Sequence, residues 1–162
     1  MSTVTKQIEI NASADEVWGA IADFGGVYKW APNVTSSYST TEANGGVGAG
    51  RHCEVQGFGG IDEEIVDWKE GHSYKYQVEN IGPIGKLVNE WSVTSDGNNS
   101  LVTTNVSYRM RFGVMGALMD RLIVRRSIRK AMAQGQAGLK GYVETRQPMA
   151  MPTPVGTADN AA

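Results

Sequence analysis

The sequence predicts an α+β fold in which a curved antiparallel sheet of seven strands wraps around one long C-terminal helix, with two short helices between the first two strands. Three observations lead to this prediction. A strand, a capped helix and a second helical turn come first, then about 75 residues break into short β-prone runs, and a long amphipathic segment follows. The chain has 162 residues and is 41% hydrophobic, which is enough for one packed core.

The N-terminal unit is the most informative part of the chain. Residues 7–11 alternate polar and apolar side chains, as in a half-buried strand. Ser13 and Glu16 form the S-x-x-E pattern of a capping box, so a helix is expected to begin there. The glycines at 25 and 26 favour its end, and the aromatic-rich residues 28–32 are expected to form a second helical turn.

Six further strands are expected between Pro32 and the C-terminal segment. The separators between them contain Gly, Asn or Asp, which suit tight turns or positive φ, so consecutive strands should pair as an antiparallel meander. The predicted strands span residues 35–41, 50–56, 61–68, 73–79, 86–94 and 100–110.

A single long helix is predicted over residues 113–145, with an apolar stripe facing the sheet and a basic outer face. Gly135, Gly138 and Gly141 would each cost this helix about 1 kcal/mol relative to alanine. Either close packing offsets that cost, or the glycines let the helix act as a gate that adjusts to ligand size. The stripe consists of Met115, Leu118, Leu122, Ile128, Met132, Leu139 and Val143.

Composition and charge exclude several classes of protein. The net charge of −2 gives no basic surface for nucleic acid, and no apolar run approaches the roughly 20 residues that span a bilayer. The N-terminus lacks the pattern of a secretory signal, and one cysteine cannot form an internal disulfide, so a cytoplasmic location is expected. Residues 1–146 are expected to form the domain, and residues 147–162 a disordered tail.

A curved antiparallel sheet covered by one helix leaves an interior that side chains do not fill completely. Such interiors commonly become apolar ligand cavities. The function of this chain is therefore expected to reside in that cavity.

Two stretches resemble a known superfamily. Residues 8–24 read I-x-I-N-A-S-A-D-E-V-W-x-x-I-A-D-F and are followed by W-A-P, while residues 112–122 read F-G-V-M-G-A-L-M-D-R-L with L-K-G-Y-V-E from Leu139. Over residues 5–144 the chain resembles the START-like (SRPBCC) superfamily, in particular its bacterial polyketide cyclase/dehydrase branch. The G-P-I-G turn at 82–85 is similar to that of the birch pollen allergen branch.

The resemblance implies the helix-grip architecture and an internal cavity for a hydrophobic ligand. It also implies that Tyr74 and Tyr76 face the pocket, as in the pollen allergen branch. The superfamily contains cyclases, hydrolases, carriers and hormone receptors on one scaffold, so the fold alone does not determine the reaction.

Period-two alternation along the strands predicts the remaining cavity wall. Counting places Glu64, Val66 and Trp68 on one face of their strand, with apolar side chains and a few polar ones on the neighbouring strands. The predicted ligand-binding set is Trp30, Arg51, Val66, Trp68, Tyr74, Tyr76, Asn89, Trp91, Thr104, Val106, Tyr108, Met115, Leu118 and Leu122.

Glu64 is the predicted acid–base residue, because a carboxylate in an apolar cavity can have a raised pKa. The alternative is an exposed strand residue, since a shift of one residue in register turns Glu64 outward. Only one of Arg51 and His52 can face inward, where it could pair with Glu64 or bind an anionic group. If the chain is an enzyme, the predicted catalytic residues are Glu64, Tyr76, Tyr108 and His52.

Two functions remain open from the sequence. The first is a carrier or sensor that binds a lipid, an isoprenoid or a polyketide-like molecule. The second is a polyketide cyclase, aromatase or dehydrase, a lyase or isomerase that uses acid–base residues in the same cavity. No cofactor and no metal site is predicted, because His52, Cys53, Glu54 and His72 lack a convincing ligand spacing. The basic face of the C-terminal helix is a possible site of transient contact with a membrane or a protein.

Overall fold

The computed structural model describes residues 1–146. Its strands are β1 (Ser2–Ile10), β2 (Val34–Ser39), β3 (Gly50–Val55), β4 (Gly59–Lys69), β5 (Ser73–Ile81), β6 (Ile84–Asp96) and β7 (Asn99–Met110). They form one antiparallel sheet in the order β1-β7-β6-β5-β4-β3-β2. The strands β1 and β2 are therefore the two edges of the sheet, and β1 pairs with β7. The predicted fold class is confirmed, and the six predicted meander strands begin and end within two residues of the observed ones.

The N-terminal helix α1 (Ala14–Ala22) begins at the predicted capping box. The Ser13 side chain accepts a hydrogen bond from the backbone N–H of Glu16, and the Glu16 side chain accepts one from the backbone of Ser13. A 3₁₀ helix (Phe24–Lys29) follows and leads into β2. Both short helices therefore lie between β1 and β2, as predicted.

The C-terminal helical region runs from Gly113 to Thr145 but is not one regular helix. It consists of α2 (Gly113–Met119), a π-helical turn (Asp120–Val124) and α3 (Arg125–Thr145). The π turn adds residues to one turn of the helix, so the apolar stripe that was counted along an ideal helix shifts to another face after this point.

Close packing explains one of the three glycines of α3. A Cβ on Gly138 would lie 2.0 Å from the carbonyl oxygen of Trp30, so no side chain fits there. A Cβ on Gly135 would lie 3.7 Å from the Trp91 ring, an ordinary contact, and a Cβ on Gly141 would meet nothing within 4 Å. Only Gly138 is required by the contact between α3 and the end of the 3₁₀ helix.

The buried side chains form two apolar clusters. The larger cluster joins α1, the 3₁₀ helix, α3 and the middle of the sheet, and it contains a set of aromatic rings around Tyr74. The smaller cluster joins β1, β6, β7 and the start of α3. The predicted tail, residues 147–162, lies outside the described residues, and the domain boundary at 146 stays a prediction.

Candidate ligand-binding site

A cavity of about 370 Å³ lies between the concave face of the sheet and the C-terminal helices. This size is within the range of small-molecule sites, about 300–1,000 Å³. Both apolar clusters contribute to its wall, for example through Trp91 of the larger cluster and Val106 of the smaller one. Its wall is mostly apolar and includes Val27, Val34, Val55, Ile61, Val78, Ile81, Leu87, Trp91, Val106, Val124, Ile128, Ala131 and Met132.

One buried ion pair lies in this wall. Arg51 on β3 and Glu63 on β4 are directly opposite each other in the sheet, only 3% and 7% exposed, and the Arg51 Nε donates to the Glu63 carboxylate. Arg51 Nη1 also donates to the Phe24 carbonyl oxygen at 2.8 Å. The guanidinium lies over the ring of Phe24, 3.9 Å from its centroid, and 4.9 Å from that of Tyr76. These contacts compensate a charge that would otherwise be costly to bury.

The ion pair and burial control the protonation of the neighbouring groups. Burial alone would lower the pKa of Arg51, but the Glu63 carboxylate raises it, so the guanidinium stays charged. Burial, together with Glu63, raises the pKa of the Cys53 thiol to about 12. Burial also raises the pKa of Tyr76 well above its usual value. This end of the cavity therefore presents a neutral thiol and a neutral phenol beside a charge pair with no net charge.

Two polar atoms of the cavity wall have no hydrogen-bond partner within the described part of the chain. They are the indole N–H of Trp30, a side chain that is 3% exposed, and the Oδ1 of Asn89. The other end of the Asn89 amide is fixed, because its Nδ2 donates to the Tyr76 hydroxyl at 2.7 Å. Buried polar groups are normally satisfied, so an unpaired donor and an unpaired acceptor in one cavity indicate where a bound molecule would be held.

The cavity opens at one end of the sheet. Phe58 in the turn before β4, and Met119 and Ile123 before α3, line the cavity and are also substantially exposed to solvent. Pro83, in the turn between β5 and β6, also lines the cavity, and its carbonyl oxygen accepts a hydrogen bond from the Arg111 backbone N–H at 2.8 Å. These three segments surround the entrance.

The predicted inward orientation of Glu64 and Val66 is wrong. Both side chains are exposed on the outer face, whereas Glu63 and Ile65 point to the interior. The reason is a β-bulge between Ile65 and Asp67, which adds one residue to this strand. Trp68 after the bulge and Ile65 before it therefore both pack on the core, although they are three residues apart. Counting back in twos from Trp68 therefore gives the wrong face.

The other predicted catalytic residues are not brought together. His52 lies on the outer face, where its ring nitrogens bond Asp62 at 2.7 Å and Glu54 at 3.1 Å, and these bonds raise its pKa. Tyr108 is buried but bonds Asp120 outside the cavity wall. Of the four, only Tyr76 lines the cavity.

Apart from Val66 and Tyr108, whose positions are given above, the predicted ligand-binding residues divide into three groups. Those on the cavity wall are Trp30, Arg51, Tyr76, Asn89, Trp91, Thr104 and Val106. Tyr74 and Trp68 instead stack on each other in the core, with ring centroids 5.8 Å apart. Met115, Leu118 and Leu122 are exposed rather than lining the cavity, because α2 and the π turn present them to solvent. Ligand contact itself stays a prediction for every residue of the wall.

The sequence interpretation missed Glu63, Cys53 and Gly135, which line the cavity. Cys53 lies two residues after Arg51 on β3 and therefore shares its face. Glu63 is directly opposite Arg51 on β4, so the pairing of β3 with β4 in this register would have predicted that it faces inward. Gly135 was noted as a glycine, but its place opposite Trp91 depends on the docking of α3. Gln136 was also missed; its amide donates to the Thr104 hydroxyl and the Lys6 carbonyl, both at 3.0 Å, and so ties α3 to the sheet.

Residues 1–146 contain neither a candidate metal site nor a candidate membrane-spanning helix. No group of three or more His, Cys, Asp and Glu side chains there is arranged to hold a metal ion. No helix in the same range combines the length and apolar character needed to cross a bilayer.

Comparison with known proteins gives a family and a fold. Residues 1–144 match the family described as polyketide cyclase/dehydrase and lipid transport. A search of curated proteins found no significant match.

Solved structures are similar over most of the chain. The aromatase/cyclase Zhui from Streptomyces sp. R1128 superimposes with a TM-score of 0.76 at 17% identity, covering 90% of this chain and 94% of that one. A START superfamily protein from Mycobacterium smegmatis gives 0.73 at 16% identity, with 90% and 99% covered. Ara h 8.0201 gives 0.71 at 13% identity, with 89% and 98% covered. At these identities the likeness establishes the fold and leaves the ligand open.

Proposed function

We propose a ligand-binding function for this chain, which belongs to the polyketide cyclase/dehydrase and lipid transport family. The chain binds one small, mostly apolar molecule between the sheet and α3 and acts as a carrier or sensor of that molecule. The observation that carries this proposal is the cavity of about 370 Å³, whose wall is apolar apart from a few placed polar groups. An apolar guest that leaves water for this space gains about 25 cal/mol for each Å² that it buries.

The two unpaired polar atoms of the cavity wall indicate which polar groups the bound molecule carries. The Trp30 N–H needs an acceptor and the Asn89 Oδ1 needs a donor, so a molecule with a hydroxyl group, or with a carbonyl and a hydroxyl, satisfies both. A hydroxylated aromatic, isoprenoid or polyketide-like compound meets this requirement.

The guest is neutral in this proposal, because Arg51 is already bonded to Glu63 and to a backbone carbonyl. An anionic ligand would have to compete with a buried carboxylate for the same guanidinium. Isothermal titration with a long-chain alcohol and the fatty acid of the same chain length tests this point. The alcohol is expected to bind more tightly, and tighter binding of the acid would contradict a neutral guest.

A filled cavity tests binding as a whole. In Gly135→Leu the new side chain begins in ordinary contact with Trp91 and extends into the cavity, so binding of apolar probes is expected to be lost. Gly141→Leu is the matched control: it lies on the same helix, has open space around it, and should bind as the wild type does. Equal probe binding by both variants, measured by displacement of a fluorescent probe, would refute the proposed site.

Mass spectrometry of molecules retained from the expression host identifies the ligand class. The wild type and Gly141→Leu are expected to release the same neutral, hydroxylated apolar compound on denaturation, and Gly135→Leu is expected to release none.

A second candidate function is acid–base catalysis on the same guest, favoured by the position of Tyr76 and Glu63 in the cavity wall. The protonation states limit it, since the high pKa of Tyr76 keeps the phenol as a hydrogen-bond donor rather than a base, and Glu63 is held by Arg51. The test is turnover of a poly-β-ketone. Turnover that is lost in Tyr76→Phe, while probe affinity is unchanged, would favour the enzyme over the carrier.

A further inference from the structure

A large apolar surface lies at the entrance of the cavity. It is formed by the residue before α2, by α2 and by the π turn. We refer to it as the α2 patch, and it consists of Phe112, Val114, Met115, Leu118, Met119, Leu122 and Ile123. Val114 is 88% exposed and Met115 78%, values that are unusual for side chains of this size. A contiguous exposed apolar surface of this kind marks an interaction site.

The outward orientation of the patch is held by specific contacts. Asp120, the first residue of the π turn, is buried; its carboxylate accepts hydrogen bonds from Tyr108 on β7 and from Ser2 on β1, the latter at 2.7 Å. Gly116 is buried as well, and a Cβ there would lie 1.9 Å from the Arg111 carbonyl oxygen. With these two residues fixed against the sheet, Leu118 between them and Leu122 after them face solvent.

Charge indicates what the patch contacts. Residues 111–130 carry six of the 15 Lys and Arg residues and one of the 17 Asp and Glu residues, and that one is the buried Asp120. The other 142 residues carry nine basic and 16 acidic residues. This strongly basic part of an acidic chain therefore adjoins the α2 patch. The exposed cations are Arg111, Arg121, Arg126, Arg129 and Lys130.

We propose that the α2 patch docks on an anionic lipid surface, with its apolar side chains in the boundary between headgroups and acyl chains and the flanking cations at lipid phosphates. Apolar side chains beside Arg and Lys are the composition of helices that lie in a membrane interface. The rest of the chain has more acidic than basic residues and is repelled by the same surface, so the charge distribution also orients the protein.

Docking in this orientation brings the cavity entrance to the lipid. Met119 and Ile123 belong to both the patch and the cavity wall. An apolar guest can then pass between bilayer and cavity without crossing water. This exchange step rests on the proposed ligand-binding function, whereas the docking does not.

Flotation with vesicles tests the docking. The full chain is mixed with vesicles of phosphatidylcholine alone or of phosphatidylcholine with an equal amount of phosphatidylglycerol, at low salt. The wild type is expected to float with the anionic vesicles and to bind the neutral ones at least tenfold more weakly. Arg126→Gln/Arg129→Gln should bind the anionic vesicles about 30-fold more weakly, because each cation near such a surface contributes about a factor of five. Met115→Ser/Leu118→Ser should bind both the anionic and the neutral vesicles at least tenfold more weakly than the wild type does.

Matched controls lie away from the entrance. Lys69→Gln and Val47→Ser change an exposed cation and an exposed apolar residue elsewhere, and both should float as the wild type does. Gly135→Leu should also float normally, so a failure of ligand binding would leave docking intact.

Three results would overturn the proposal. One is the absence of flotation with anionic vesicles, which would leave a protein as the partner. Another is equal flotation of the wild type and both double variants. The third is a stable dimer in solution that Met115→Ser/Leu118→Ser converts to a monomer, because the patch would then be covered by a second copy of the chain.

Discussion

The buried pair of Arg51 and Glu63 is the contact whose removal the structure allows us to predict in most detail. In Arg51→Met the aliphatic part of the side chain is kept, but Glu63 is left as an uncompensated charge at 7% exposure. Breaking a buried pair in this way costs about 3–5 kcal/mol of unfolding free energy. A domain of this size has a total of about 5–15 kcal/mol, so the midpoint of urea unfolding should fall markedly.

Removing both charges separates the cost of an unpaired charge from the value of the pair. In Arg51→Met/Glu63→Leu the ion pair is replaced by apolar side chains, and such replacements are often neutral or stabilising by about 1–4 kcal/mol. We therefore expect the double variant to be more stable than Arg51→Met by about 3 kcal/mol. Lys75→Met, which removes an exposed cation 3.5 Å from Asp67, is the matched control and should cost less than about 1 kcal/mol.

Urea unfolding followed by circular dichroism gives these free energies directly. The reasoning is refuted if Arg51→Met costs no more than Lys75→Met, or if the double variant is as unstable as Arg51→Met. A double variant that is stable but binds apolar probes differently would assign the pair to the ligand site rather than to folding.

Three further predictions concern single positions. The hydrogen bonds of His52 to two carboxylates raise its pKa above the usual 6.5. The stability that His52 contributes is therefore complete below about pH 6.5 and is lost as the pH rises through the higher pKa of the folded state. His52→Asn should lower the urea midpoint at pH 5.5 and have little effect at pH 8.5. Cys53, with a pKa of about 12, should react with iodoacetamide at pH 8 far more slowly in the folded protein than in urea, and equal rates would contradict its burial. Gly138→Ala should cost about 3 kcal/mol through its clash with Trp30, whereas Gly141→Ala should gain up to about 1 kcal/mol, and thermal melts of the two variants compare them.

The parts of the fold that the sequence predicted are those specified by local chemistry. The capping box at Ser13 and Glu16 acts within one turn of helix, and the Gly, Asn and Asp separators act within single turns. The inward positions of Thr104, Val106 and Tyr108 on β7 were also predicted, because the alternation of this strand is regular. On these elements the residue type alone identifies the structure.

The parts that were not predicted depend on partners distant in sequence. The bulge at Val66 contains no glycine or proline that would indicate it in the sequence. Because of this bulge, Glu63 faces inward in place of the predicted Glu64. The π turn forms where Asp120 meets Tyr108 and Ser2, and the latter is 118 residues away. That turn moved Leu122 from the predicted cavity wall to the surface.

The chemistry expected of the cavity changes because Glu63, and not Glu64, faces inward. A carboxylate alone in an apolar wall would favour acid–base work, whereas Glu63 is directly opposite Arg51 and the two charges cancel. In the proposed function, a cavity without net charge selects a neutral guest, and a neutral apolar guest is one that dissolves in a bilayer. The entrance of the cavity lies beside the α2 patch, which is apolar and flanked by cations. The ion pair within the cavity and the cations around its entrance thus favour the same kind of guest, one that is taken up from or delivered to lipid.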